Sequence, residues 1–459
     1  MLLKQFFIEK IAHSSYLIGG AHHCAIVDPC RDIDWYLGAA EAEGLKITHI
    51  LETHLHADFV SGHMDLADVT GAPIYAPAAG RCTFDHIPVK EGDTFTIDDL
   101  AFSVLETPGH TPDCLVYCVA DTSRGDTPVA VFTGDTLFVG DVGRPDLFPG
   151  RGEELAGKLY TNLHTKVMTL PPDCLVFPAH GQGSLCGKAM GAMRFSTIGY
   201  ETRYNSALTI PDTDAFIRSL TVNMPPAPDH FARCSDINRQ GPALVRTLPV
   251  LRALTPAQFH AEMQREETVV VDARSYAAFG GQHIPGSYHI DMAGNFPTFA
   301  GWILPPEKEI LLVTESPVEA REAREAVTHL RRVGLDYAIG YLEGSTRAWV
   351  SAGYATDMVP QLSPDQVHAT LQEEETVLVD VRAADEYATE HVPGAVNILA
   401  MDLRTRAAEL DPARPTIVMC GSGIRSSLAS SLLKQQGFTK VFNAAGGFRG
   451  YRAAGFLAV

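Results

Sequence analysis

Four short turns in this 459-residue chain concentrate side chains that bind metal ions. The first, Thr53-His54-Leu55-His56-Ala57-Asp58-Phe59, spaces two imidazoles and a carboxylate so that His54, His56 and Asp58 fan out from one loop. The others are Thr107-Pro108-Gly109-His110-Thr111, Phe132-Thr133-Gly134-Asp135 and Phe177-Pro178-Ala179-His180-Gly181. A lone histidine is an ordinary core or surface residue, but four such turns in one chain point to metal-dependent chemistry. A second chemistry lies at Cys420-Gly421-Ser422-Gly423-Ile424-Arg425. A thiolate there is a nucleophile, and Arg425 can hold an oxyanion.

These residues need elements to carry them. Ile47-Thr48-His49-Ile50-Leu51 reads as a short buried strand, so the first turn is a loop at a strand end, and the other metal turns also follow apolar runs. Thr416-Ile417-Val418-Met419 reads as a strand, with an amphipathic helix starting near Ser426. A thiol between them lies among backbone N–H groups at the positive end of the helix dipole, which favours the thiolate.

From Thr255 onward the chain repeats itself. Val269-Val270-Val271-Asp272-Ala273-Arg274 followed by Gln282-His283-Ile284-Pro285-Gly286-Ser287 recurs as Val377-Leu378-Val379-Asp380-Val381-Arg382 and Glu390-His391-Val392-Pro393-Gly394-Ala395. Leu342-Glu343-Gly344-Ser345-Thr346-Arg347-Ala348-Trp349 likewise parallels Ala445-Gly446-Gly447-Phe448-Arg449-Gly450-Tyr451. A unit of about a hundred residues is too long for a solenoid repeat and implies a duplicated domain, each copy a parallel sheet wrapped by helices. The copies differ in one respect: no cysteine lies between Cys234 and Cys420, and the loop after Ile310-Leu311-Leu312-Val313 reads Thr314-Glu315-Ser316-Pro317-Val318-Glu319. Without a thiolate and with acidic residues in its place, the first copy is expected to be a non-catalytic spacer or docking domain.

The chain length suits about three domains. Seams are expected at Met224-Pro225-Pro226-Ala227-Pro228 with the polar stretch to about Val250, and near Val359-Pro360, with Gly199 to Asn205 in the terminal helix of the metal domain. A net charge of −19, scattered along the chain, argues against a nucleic-acid partner and leaves anions to be drawn in by local groups. No run is long enough to span a bilayer, and the amino terminus lacks the apolar core of a signal peptide, so a cytoplasmic enzyme with no membrane partner is expected. Nine irregularly spaced cysteines read as reduced thiols. Cys24, Cys114 and Cys118 lie in apolar segments, whereas Cys186 follows His180 in a glycine-rich loop and is either a persulfide carrier near the metal or a packing residue.

In order and spacing, the four metal turns resemble the metallo-β-lactamase superfamily, whose αββα sandwich packs two sheets between outer helices. The resemblance implies His54, His110 and Asp135 as metal ligands. Two-metal hydrolases of that superfamily carry a histidine directly after the aspartate; here Phe59 has no lone pair, so one metal per chain is expected, unless His63 reaches back from a helical segment. Two imidazoles and a carboxylate suit Fe(II), with zinc an occupant as purified. His56, Asp58, His180 and Cys186 then surround the ligand shell. The segment from Gly134 to Asp146 resembles the persulfide dioxygenases, which oxidise a thiol-bound persulfide to sulfite with O₂, and Arg144 is a candidate substrate contact or a structural ion-pair residue. The duplicated units resemble rhodanese domains; four residues between Cys420 and Arg425 make the tight cradle of sulfurtransferases rather than the longer phosphatase loop. Gly421, Ser422 and Gly423 would line it.

The resemblance thus implies an α/β multidomain chain: a metallo-β-lactamase-like domain over 1–250, a rhodanese-like domain without its cysteine over 251–358 and an active rhodanese domain over 359–459. Its substrates would be a low-molecular-weight thiol persulfide, O₂ and sulfite or thiosulfate, and its assembly a homo-oligomer. Glutathione, coenzyme A and bacillithiol all remain open as the carrier. The rival reading is a dinuclear-metal hydroxyacylglutathione-type thioester hydrolase with appended rhodanese modules. A sulfur sensor with a structural metal is a further alternative, against which stands the four-ligand closure usual in structural zinc sites.

Overall fold

The computed structural model describes residues 1–222, 224–316, 320–373 and 375–457. It divides into two compact units, Met1–Leu248 with Arg331–Gly334, and Pro249–Leu330 with Leu335–Val459.

In the first unit, Leu2–Ile8, His13–Gly19, His23–Val27, Lys46–Leu51, Ile74–Pro77 and Ile87–Val89 form one sheet in chain order, antiparallel over the first three strands and parallel thereafter. The second sheet runs in space as Ser196–Thr197, Leu175–Pro178, Ala130–Gly134, Leu115–Asp121, Leu100–Glu106 and Thr94–Ile97. Alternation along a strand divides its side chains between two cores. Leu115, Tyr117 and Val119 join Tyr16, Leu51 and Phe132 between the sheets, while Val116 and Cys118 pack outward on Leu159, Leu163 and Phe216 of the covering helices Gly152–Thr165 and Thr213–Thr221. Tyr36 and Leu66, from helices Asp34–Ala42 and His63–Thr70, cover the outer face of the first sheet. Strands buried on both faces are apolar throughout, which is why the sequence shows runs there rather than alternation. The layers are helix, sheet, sheet, helix, as the resemblance implies.

The end of this unit differs from the expectation. Helix Ile198–Tyr204 is not terminal: Thr213–Thr221 and His230–Gln240 follow it, and the proline-rich run Met224 to Pro228 lies between these two helices. Phe216 and Leu220 complete the outer core, and Asn238 is tied into the metal loop, so the proline-rich run is internal to the first unit.

In the second unit, two five-stranded sheets share one topology. The first has the order Arg252–Leu254, Ala338–Leu342, Glu309–Val313, Thr268–Asp272, Tyr288–His289; the second Gln361–Leu362, Val441–Ala444, Thr416–Met419, Val377–Asp380, Val396–Asn397. All the pairings are parallel. The repeated Asp-x-Arg is a structural clamp. Arg274 grips Asp272 through Nε and Nη2 at 2.9 and 2.6 Å and donates to the Gln282 carbonyl before the His-x-Pro-Gly turn; Arg382 does the same with Asp380 and the Glu390 carbonyl. Both copies also open on the same capping box, Thr255-Pro256-Ala257-Gln258 and Ser363-Pro364-Asp365-Gln366. Of the acidic loop in the first copy, residues 317–319 lie outside the described residues. Among the described residues, no helix is long and apolar enough to cross a membrane.

Asn238 shows how the late helix supports the metal loop. Its carboxamide donates to the His56 and Phe59 carbonyls at 2.9 and 2.8 Å and accepts the Ser61 N–H at 2.8 Å. Asn238→Ala leaves three buried backbone groups without this partner and is expected to cost about 2–4 kcal/mol, read as a lower midpoint in chemical denaturation.

Candidate metal centre and thiol site

The four metal turns all follow strands, His54, His56 and Asp58 after Lys46–Leu51 of the first sheet and His110, Asp135 and His180 after strands of the second. Gly134 lets the sheets meet: it has φ +51°, and a Cβ there would fall 2.5 Å from Thr53 Oγ1.

His54, His110 and Asp135 offer one ligand atom each, all within 4.8 Å of one another. Hydrogen bonds decide which atoms face the centre. Asp28 accepts the Thr53 N–H at 2.7 Å and the Thr53 hydroxyl at 2.9 Å, so Thr53 Oγ1 is free to accept from His54 Nδ1 at 3.0 Å. His110 Nδ1 donates to the Arg144 carbonyl at 2.7 Å. Both rings therefore present a bare Nε2 inward. His180 Nδ1 takes Asp135 Oδ1 at 2.7 Å and leaves Oδ2. The three remaining atoms, His54 Nε2, His110 Nε2 and Asp135 Oδ2, are buried without a hydrogen-bond partner among the described residues, the condition a bound cation relieves. Burial holds His54 and His110 below the ordinary histidine range. Burial would raise Asp135, but His180, His110 and His54 outweigh it and hold the carboxyl well below its usual range. Neutral imidazoles beside an ionised carboxylate are the protonation states a metal requires.

The surrounding residues occupy distinct places. His56 turns away from the ligand atoms, its Nε2 lying 3.1 Å from Asp28 Oδ1 and 3.9 Å from Glu52 Oε2, while its ring packs against His54 at 4.2 Å. Burial opposes charge on His56, yet the Asp28 and Glu52 carboxylates prevail and raise it. His180 Nε2 lies 2.8 Å from Asp58 Oδ2, so this ring bridges Asp58 and Asp135. Phe59 is fully buried, with ring centroids 4.1 Å from His13 and 4.5 Å from His56. His63 does not reach back: it faces Glu52 at 3.3 Å and stacks on Phe84. Asp58, His180 and Cys186 form a second group within 4.8 Å. Burial pushes the Cys186 thiol well up, away from the thiolate a carrier needs.

Of the two readings of Arg144, the structure shows the ion-pair one. Its side chain is 1% exposed, grips Asp146 at 2.6 and 2.8 Å and donates to the carbonyls of Leu185 and Pro225. A guanidinium so engaged does not greet a substrate; the residue serves the centre through the carbonyl that orients His110. Asp28, Thr53 and Asn238 were not apparent as site residues. The one local signal is Asp28 itself, an aspartate at φ +50° directly after the apolar strand His23–Val27. Beside the metal loop, a cavity of 370 Å³ is lined by Leu55, Ala57, Asp113, Phe148, Phe231 and Arg239. Leu55 and Ala57 alternate with the metal-loop histidines, so this cavity backs the loop.

In the second unit Cys420 ends strand Thr416–Met419 and precedes helix Ile424–Gln435. It is 1% exposed, and its Sγ accepts the Gly423 N–H at 3.2 Å and the Ser426 hydroxyl at 3.4 Å. Gly421 and Ser422 complete the turn. Tyr276 of the first copy packs against this loop, its Cζ 3.4 Å from where a Cβ on Gly423 would stand. Arg425 is held by Glu386 through two bonds of 2.7 and 2.9 Å.

Comparison with known proteins agrees with this geometry. Residues 9–180 match the metallo-β-lactamase superfamily, and 255–352 and 363–454 match the rhodanese-like domain. The mouse protein "Persulfide dioxygenase ETHE1, mitochondrial" is 30% identical over 231 residues, 49% of this chain and 83% of that protein. A hydroxyacylglutathione hydrolase from Rhodospirillum rubrum is 39% identical over 159 residues, 34% of this chain and 57% of that protein. The crystal structure of a metallo-β-lactamase from Staphylococcus aureus superposes with a TM-score of 0.66 at 32% identity, covering 75% of this chain and 98% of that one. The chain belongs to the persulfide dioxygenase branch of the metallo-β-lactamase superfamily and carries two rhodanese-like domains in its second half.

Proposed function

We propose that the first unit oxidises a low-molecular-weight thiol persulfide to sulfite at a single iron held by His54, His110 and Asp135, and that Cys420 relays sulfane sulfur. The overall oxidation is RSSH + O₂ + H₂O giving RSH, SO₃²⁻ and two protons. The observation that carries this reading is the set of three bare, inward-facing donor atoms beside Phe59, an aromatic ring that offers no further ligand. Fe(II) in such a set supplies the redox chemistry with O₂ that zinc lacks. The chain's own residues orient this set. Thr53 and the Arg144 carbonyl fix the tautomers of His54 and His110, and His180 holds one oxygen of Asp135 so that the other stays free.

At the second site the Cys420 thiolate attacks the outer sulfur of a persulfide. The S–S bond breaks, the thiol leaves, and Cys420 keeps the sulfur as a persulfide. Attack of sulfite on that outer sulfur forms thiosulfate and returns the thiolate. The Gly423 N–H and the Ser426 hydroxyl hold the sulfur charge. We read domains over 1–250, 251–358 and 359–459, the middle one without a catalytic thiol. Nine free cysteines fit a reducing compartment such as the cytoplasm.

One observation favours a second reading, a two-metal thioester hydrolase: Asp58, His180 and Cys186 are grouped beside the first set, and a hydroxyacylglutathione hydrolase is among the relatives. His180 Nε2 and Asp58 Oδ1 are also buried without a hydrogen-bond partner among the described residues; against the second reading stands Phe59, which supplies no further ligand.

Anaerobically purified protein is expected to hold about one iron per chain and to consume O₂ with glutathione persulfide, releasing sulfite, and Asp135→Ala is expected to lose both metal and activity. Two zincs per chain with thioester turnover and no O₂ uptake would establish the hydrolase instead. Phe59→His is expected to raise the metal content toward about two per chain, measured by elemental analysis. Cys420→Ser should leave O₂ uptake intact and abolish thiosulfate formation, followed by chromatography of the sulfur products.

A further inference from the structure

The thiol loop carries a charge arrangement that the duplication makes interpretable. Arg425, the cation that closes the loop, lies over it: its Nη2 is 3.4 Å from where a Cβ on Gly421 would stand. The same guanidinium is clasped by both oxygens of Glu386, a residue of helix Ala384–Thr389. Neither side chain is deeply buried, at 29% and 38% exposure, so solvent and solutes reach the pair. Hydrogen bonding to Arg425 holds the Glu386 carboxyl below its usual range, leaving it charged at neutral pH. The neighbouring guanidinium, Arg382, is likewise closed by Asp380 and lies 4.0 Å over the Phe448 ring. Arg425 and Arg382 therefore already face a carboxylate, while Arg449, whose N–H donates to the Gly421 carbonyl at 3.3 Å, stands exposed at the edge of the cradle.

The first copy shows which of these pairs belongs to the chemistry. It keeps the Asp272–Arg274 clamp that corresponds to Asp380–Arg382. It has no counterpart of Cys420, and at the position of Glu386 it has Ala278, in the matching helix Tyr276–Gly281. At the position of Gly447, where a Cβ would overlap the Cys420 carbonyl, it has Ser345, whose hydroxyl donates to the Thr314 carbonyl at 2.5 Å. The structural clamp is retained without the thiol, and the carboxylate facing Arg425 is not.

We propose that Glu386 is the specificity-determining residue of the Cys420 site, selecting thiol persulfides, whose reacting sulfur head carries one negative charge, over thiosulfate, whose compact head carries two, as the sulfur donor. This rests on the sulfurtransferase reading of Cys420. The transfer itself is unchanged: Cys420 Sγ bonds to the sulfane sulfur, the donor's S–S bond breaks, and its electron pair leaves with the thiolate or, from thiosulfate, with sulfite. A dianion that approaches Arg425 must first displace Glu386, and it meets like charge while doing so. A thiol persulfide presents one charge at its sulfur end, its carboxylates lying several bonds away, and the backbone N–H groups of the cradle can meet that one charge.

The test compares donors on the full chain: loading of Cys420, read as the gain of one sulfur atom by intact mass and as kcat/KM for thiosulfate and for glutathione persulfide. Glu386→Gln keeps an acceptor for Arg425 and is expected to raise the thiosulfate-to-persulfide ratio roughly tenfold by removing one like charge. Glu386→Ala, a side chain the fold already accepts at Ala278, is expected to shift the ratio the same way. An unchanged ratio in folded variants, or an equal fall with both donors, would overturn the proposal and leave Glu386 as a mere support of Arg425. Failure of the wild-type chain to take sulfur from either donor would instead sink the sulfurtransferase reading.

Discussion

A carboxylate with no exposure to water, Asp135, stands where the two sheets of the first unit end, and the local design of that unit follows from keeping it ionised there. An isolated buried anion is costly, so it must be paired or bound to a metal. Here one oxygen is met by His180, and the other faces two imidazoles that are themselves turned by Thr53 and by the Arg144 carbonyl. Each ring spends its outer nitrogen on a hydrogen bond and leaves its inner one bare. The centre is thus pre-organised before any ion arrives, and its support reaches out through Asp28 to the third strand and through Asn238 to the last helix of the unit.

That chain of support explains which parts could be read from the amino-acid sequence. The candidate turns are local: imidazoles and carboxylates cluster within a few residues after apolar runs, so the turns of His54, His110, Asp135 and His180 stood out as candidates, and the resemblance chose among their side chains. The supports are not local. Asp28 acts across 25 residues and Asn238 across 182, and neither stands out among its own neighbours. The two readings of Arg144 stayed open for a related reason. A sequence displays the side chain of an arginine, whereas the centre uses its carbonyl and buries the guanidinium against Asp146. The proline-rich run reads as part of the seam because such composition resembles a linker even where flanking helices pack on both sides of it.

In the second half, the duplication was legible because its landmarks are contiguous motifs with a mechanical reason to persist: the arginine that folds back on its own strand end also pins the following turn. The capping boxes at Thr255 and Ser363 carry the same signal and were there to be found. Glu386 was not, since its meaning depends on a guanidinium 39 residues away. Nor was the contact of Tyr276 with the active loop, which lies between copies rather than within one.

Two copies of one clamp in a single molecule, one beside a thiol and one without, have a consequence of their own. The scaffold comes with an internal reference. Loss of Asp272 reports on the clamp in a copy whose sequence has no cysteine, and loss of Asp380 reports on the same clamp beside Cys420. The two copies share the frame and differ in the residues around Cys420, so a comparison within one molecule separates what holds the sheet from what surrounds the thiol.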